Sequence, residues 1–217
     1  MSAEPVRSQT SAGPGAAQAS ARVEPLARSE FILGGQKSGK SRRAETLAAA
    51  WLAASPKHDA VLIATAQPFD AEMRDRIERH RRDRAARVPG LRTVEAPRAL
   101  AETLAACSRP ETLVVVDCLT LWLTNLCMPA AVDWEPKPAD ASVKWADIAP
   151  FIEAIEAAPG PVVLVGNEIG LGVIPLGAQV RAFVDTLGAL NQAVARVCAR
   201  VTLMCAGLPL TLKGGVS

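Results

Sequence analysis

A chain of 217 residues with 49% hydrophobic and 21% charged side chains can bury one sizeable core and is short for two ordinary domains. Its formal charge of +2 gives no bulk attraction to nucleic acid or to a membrane surface. Aromatic residues make up only 4%, with no tyrosine, which starves the stacking platforms that single-strand binders need; no apolar run approaches the roughly 18 residues of a membrane span, and the N-terminus lacks a signal-peptide core.

Residues 1–29 are rich in Ala, Ser, Pro and Gly without apolar periodicity, so they cannot repay the entropy of ordering and are expected to form a flexible leader. From Glu30 to Ser217 the pattern is that of one domain in which short apolar runs alternate with helical stretches. "FILGG" precedes a predicted helix over Lys40 to Ala54, and "AVLIATA" precedes one around Asp70 to Arg84. "LRTVEA" is followed by a helix from Arg98 to Ala106, and "TLVVVDCL" by a short helical segment near Leu119 to Leu126. The Pro-rich stretch Met128 to Val143 reads as a long loop suited to a lid or a subunit contact. A helix from Trp145 to Ala157, "PVVLVGNE", a long helix near Ala178 to Cys198 and "RVTLMCA" complete the series.

Continuous Val/Ile/Leu runs suit strands covered on both faces, so the alternation predicts an α/β fold: a mostly parallel sheet with helices on both sides. The cysteines are five, an odd number without C-x-x-C spacing, and read as buried thiols of a reducing compartment, with the cytoplasm as the expected location. His58, in "PKHDA", reads as an exposed loop residue.

"GGQKSGKS" matches G-x-x-x-x-G-K-[ST] through Gly34, Gly39, Lys40 and Ser41, between an apolar run and a helical pattern. Glycines let backbone N–H groups converge on phosphate oxygens, the helix N-terminus adds positive potential, Lys40 reaches the β and γ phosphates, and Ser41 ligates magnesium. The fold class is therefore P-loop NTPase-like. Asp117, closing "TLVVVD", stands where such a fold needs a carboxylate for the magnesium or its water shell, although an N-cap for the next helix would place it there too.

"IERHRRDR" holds His80, one of only two histidines. Met73, Ile77 and His80 are spaced i, i+4, i+7, so the histidine continues an apolar stripe and is expected to face the sheet. Between Asp70 and Arg92 lie eight arginines and five acids, much of them solvent decoration. A neutral imidazole beside a triphosphate can attack phosphorus without a separate base, with nearby arginines stabilising the leaving pyrophosphate. Core packing of the same histidine accounts equally well for its spacing.

The blocks "FILGGQKSGKSRRAE", "IATAQPFDAEMRDRIERHR", "VVVDCLTLWLTNL", "VVLVGNEIGLGVIP" and "AGLPLTLK", spread over residues 31–213, resemble the bifunctional adenosylcobinamide kinase/adenosylcobinamide-phosphate guanylyltransferases of cobalamin biosynthesis. The resemblance implies phosphorylation of adenosylcobinamide by ATP or GTP, then transfer of GMP from GTP to adenosylcobinamide phosphate. It places His80 on the guanylylated histidine and Lys40 in the catalytic machinery. It puts Gly34, Gly35, Gln36, Lys37, Ser38, Gly39, Lys40 and Ser41 in the nucleotide site, together with Ala64, Thr65, Ala66, Arg81, Arg82, Asp83, Arg84, Glu95 and Asp117. A carboxylate at Glu95 can accept both N–H groups of the guanine edge. Mg²⁺, on Ser41 and Asp117, is the only cofactor implied, and a homo-oligomer, a trimer by analogy, is the implied assembly. The rival readings are a monofunctional P-loop small-molecule kinase in which His80 merely packs, and an ATP-driven nucleic-acid binder using the Arg74 to Arg92 cluster, which the composition disfavours.

Overall fold

The computed structural model describes residues 26–68, 71–127 and 145–215. Seven strands form one sheet: β1 (Ser29–Gly34), β2 (Asp59–Ala64), β3 (Leu91–Glu95), β4 (Thr112–Asp117), β5 (Val162–Val165), β6 (Arg200–Cys205) and β7 (Leu208–Lys213). They lie in the order β3-β2-β4-β5-β1-β6-β7, all parallel except β7, which pairs antiparallel with β6. Six helices connect them: α1 (Lys40–Ala54), α2 (Ala71–Arg87), α3 (Leu100–Cys107), α4 (Leu119–Cys127), α5 (Trp145–Ala157) and α6 (Ala178–Val197).

Strand side chains alternate between two buried faces, which is why the central strands read as unbroken apolar runs. Phe31, Val114, Val116, Val162 and Leu164 join Leu104, Phe151 and Leu190 in a core with α3, α5 and α6. Ile32, Val115, Val163 and Val165 point the other way and pack with Ala44, Leu47 and Ala48 of α1. Both faces being covered, neither could tolerate a polar alternation.

Several expectations need correction. Ser29 opens β1 and Leu26 packs against the α1-side core, so the fold begins before Glu30; residues 1–25 lie outside the described residues, as do 128–144, which hold the proposed loop. Helix α2 runs to Arg87, three residues past its expected end, while Asp70 is outside the described set. His58 is half-buried rather than exposed, because its ring stacks on Trp51 at 3.6 Å and its Nδ1 lies 2.7 Å from the Trp51 carbonyl oxygen. Cys118 and Cys198 are buried, Cys107 and Cys127 partly so, but Cys205 is exposed at the end of β6. Burial lifts the Cys118 thiol to about 11 and that of Cys198 to about 12, well outside the range of a reactive thiolate.

His80 is exposed, not turned inward. The stripe on which that expectation rested is too thin: Met73 and Ile77 are only partly covered, and among the described side chains of α2 Arg84 alone is buried. With so little apolar surface to hide, apolar burial alone does not press this face onto the sheet.

Candidate active site

Strand register brings the chemistry to one edge. Ala64 is the partner of both Glu95 and Asp117, Asp117 is the partner of Val165, and Val165 of Ile32. The carboxyl ends of β3, β2, β4, β5 and β1 therefore form one rim, the position at which open α/β sheets take ligands.

The loop from Gly34 to Gly39 leaves this rim and enters α1. A Cβ on Gly34, at φ +154°, would lie 2.5 Å from both the Met204 carbonyl oxygen and Ser38 Oγ. Gly39 caps α1 at φ +101° without any side-chain cap, so the first N–H groups of the helix are left for an anion. The Ser38 N–H bonds the Gly35 carbonyl at 3.3 Å, and the Gly207 N–H, from the β6–β7 turn, bonds the Ser38 carbonyl at 3.1 Å. Gly35, Gln36 and Lys37 are exposed, while Ser38 is buried with its hydroxyl unpartnered. Lys40 is buried too; its ammonium spans the loop to the Gly35 carbonyl oxygen at 2.5 Å. Burial pulls its pKa down from the usual lysine value, with Cys118 and Asp117 opposing.

The half-buried Asp117 faces this loop. Burial raises its carboxyl above the ordinary carboxylate range, while a hydrogen bond from Ser41 and the charges of Arg84 and His80 act the other way. Ser41 and Asp117 thus present two hard oxygen donors side by side. That pairing suits Mg²⁺, which keeps most of its shell as water and phosphate oxygen.

The remaining implied residues have different surroundings. Ala64 and Ala66 are half-buried at the end of β2, whereas Thr65 is fully buried and committed to structure: its hydroxyl donates to the Cys118 carbonyl at 2.7 Å and accepts from the Cys118 N–H at 2.9 Å. Asn125 Nδ2 donates to the Thr65 carbonyl at 2.7 Å and to that of Pro97 at 2.9 Å. Arg81 pairs with Glu95 at the rim, both half-exposed, and Arg82 and Asp83 are exposed. Arg84 is buried beside Glu45 of α1, whose carboxylate also grips Arg87.

Glu45, Arg87 and Asn125 were not anticipated. A glutamate in "RRAETLAAAW" stands out locally only as a charge in an apolar stretch, and nothing nearby in sequence names its partners. On the far side of the loop, the Glu168 N–H donates to the Gly34 carbonyl at 3.2 Å and the Asn167 N–H to Thr120 Oγ1 at 2.9 Å, so the end of β5 is tied to both the phosphate loop and α4.

A mostly parallel sheet flanked by helices, with a glycine-rich loop between β1 and α1 and an aspartate closing β4, one strand removed from β1, defines a P-loop-type enzyme. Comparison with known proteins narrows this. Residues 30–212 match the family model described as cobinamide kinase/cobinamide phosphate guanyltransferase, and the chain belongs to that family. It is 46% identical over 189 residues to the bifunctional adenosylcobalamin biosynthesis protein CobP of Pseudomonas aeruginosa, covering 85% of this chain and 97% of the relative. It is 34% identical over 188 residues to the bifunctional adenosylcobalamin biosynthesis protein CobU of Escherichia coli, covering 84% and 98% respectively. The protein is thus a kinase and guanylyltransferase of cobalamin biosynthesis. Among the described residues no helix is long and apolar enough to cross a membrane.

Proposed function

We propose that the rim site phosphorylates the hydroxyl of adenosylcobinamide and then transfers GMP from GTP to the resulting phosphate through a guanylyl-histidine on His80. The observation that supports this reading is spatial: α2, which carries His80, is tied to the rim by the Arg81–Glu95 pair and to the phosphate-loop helix by Arg84 and Arg87 on Glu45. The helix that bears the imidazole and the phosphate cradle therefore share one neighbourhood.

In the first half of the transfer, a ring nitrogen of His80 attacks the α-phosphorus of GTP. The P–N bond forms as the bond to the bridging oxygen breaks, and pyrophosphate leaves. A phosphate oxygen of adenosylcobinamide phosphate then attacks the same phosphorus, the P–N bond breaks, and the imidazole is regenerated. Lys40 and the N–H groups at the start of α1 hold the phosphates and offset their charge, in a position fixed before substrate arrives. Ser41 and Asp117 would hold Mg²⁺, which supplies charge neutralisation to the nucleotide phosphates. Glu95, at the end of β3, offers its carboxylate to the two N–H groups of guanine.

Self-association, with copies meeting through exposed apolar surface near the site, belongs to the same reading. The free cysteines suit a reducing cytoplasm.

Incubation with α-labelled GTP and Mg²⁺, followed by denaturation, should leave label on the protein that is stable to alkali and lost in acid. His80→Ala should abolish that label and GMP transfer while phosphorylation of adenosylcobinamide continues. Label persisting on His80→Ala would end the nucleophile assignment. Intact phosphorylation with no adduct on the native protein would leave a kinase whose histidine only decorates its helix.

A further inference from the structure

Helix α2 carries the proposed nucleophile, yet it lacks the usual means of fixing a helix. An amphipathic helix is held in rotation by a broad apolar stripe sunk in the core. Here the one buried side chain among those described is the arginine at 84. What meets it is Glu45, buried on α1 one turn beyond Ser41. Arg87 donates from Nε to Glu45 Oε2 at 2.7 Å and from Nη2 to Oε1 at 2.9 Å, a two-pronged fork. Arg84 Nε lies 3.8 Å from the same carboxylate.

His80, Arg84 and Arg87 follow the spacing i, i+4, i+7, so all three project from one face of α2. The fork on Arg87, with Arg84 held beside the same carboxylate by charge alone, fixes the direction of the first. On the neighbouring flank Arg81 pairs with Glu95, which limits rotation from the β3 side. We infer that Glu45 is a positioning residue: its carboxylate sets the rotation of α2 through Arg84 and Arg87 and so aims His80 at the phosphate site. A buried ion pair adds little net stability compared with apolar packing of the same volume, but it does specify one geometry. This assignment rests on the guanylyl-histidine reading for its catalytic consequence, not for its structural one.

The test uses Glu45→Gln, which keeps the shape and removes the charged fork, and Arg87→Met, a change at a partly exposed position that leaves the Glu45 carboxylate facing Arg84. Three measurements apply to each: the rate at which α-labelled GTP labels the protein, the rate of adenosylcobinamide phosphorylation, and amide hydrogen exchange along α1 and α2. Labelling should slow by roughly tenfold or more, since small misplacements of a reacting group are that costly. Phosphorylation should stay within about threefold, and α2 amides should exchange faster by about fivefold or more while those of α1 keep their protection. The double variant should be little worse than either single one, as expected of partners in one interaction.

Unchanged α2 exchange in both variants would overturn the proposal. So would a parallel loss of both activities, which would make Glu45 a support of α1 alone. A native protein that takes no label removes the guanylyl-histidine reading instead, and the exchange measurement then still decides whether Glu45 orients α2. If Glu45→Gln fails to fold, Arg87→Met decides by the same three measurements.

Discussion

Burial raises the Asp117 carboxyl above the ordinary carboxylate range, with the Ser41 hydroxyl, Arg84 and His80 pulling against it. An acid whose pKa is higher in the fold than in the open chain favours the fold most when protonated. That contribution is full below the unfolded value of 3.8 and is lost as pH rises through the folded one. At neutral pH Asp117 is thus a cost to the empty protein, one that the proposed cation on the phosphates would account for. Asp117→Asn should therefore melt higher than the native protein at pH 7 without nucleotide or Mg²⁺, with the difference closing as pH approaches 4. Both activities should fall by about 100-fold or more, as for loss of one preorganised electrostatic group. Melting curves over a pH series, set beside initial rates, check both halves; a lower melting point at pH 7 would show that the carboxylate is held favourably.

The rim is assembled by ties between elements, and Thr65 makes one of them. Its hydroxyl closes a two-way bond with the Cys118 backbone, joining the exit of β2 to that of β4 just beyond Asp117. Thr65→Val keeps the volume and strands a buried N–H and a buried C=O, at a cost of about 2–3 kcal/mol. For a chain of this size that corresponds to a melting point lower by roughly 5–10 °C. Thr65→Ser, which keeps the hydroxyl, should lose less than half as much. Equal melting of Thr65→Val and the native protein would mean that water replaces the hydroxyl. These ties also mark what a sequence can and cannot disclose. The phosphate loop was legible because glycine, lysine and serine must stand at fixed spacing for backbone amides to converge, and the central strands because both of their faces are buried. Asp117 was legible as the polar stop on an apolar run. The orientation of α2 was not, because it depends on Glu45 and Arg87, 42 residues apart, rather than on any local stripe. Strand β7 escaped notice for a related reason: Leu208, Leu210 and Leu212 alternate as a strand should but face outward, so the pattern points to no core within the chain.

At the scale of the whole molecule the surface is least satisfied where it nears the site. Leaving β5, the chain carries Leu171 at 82% exposure, Val173 at 96%, Ile174 at 77% and Leu176 at 98%, followed by the exposed Val180 on α6. Single exposed apolar residues are ordinary, but a run of this kind marks a surface that meets something apolar. Nor does it collapse back onto the protein: Arg181 Nη1 donates to the carbonyls of Pro175 at 3.0 Å and Leu176 at 2.5 Å, which pins the loop to the start of α6 with its side chains outward. Because the Glu168 N–H is bonded to Gly34, a second copy seated on this loop would stand next to the phosphate cradle. The native protein should therefore scatter light as an oligomer at micromolar concentration. Val173→Asp combined with Leu176→Asp should shift it to the monomer mass while its thermal unfolding, measured on the monomer, remains cooperative, since neither side chain contributes to the core. A native protein that stays monomeric across the concentration range used for assay would leave the apolar loop to the corrinoid substrate, and the same double variant would then raise KM for adenosylcobinamide with little change in that for GTP.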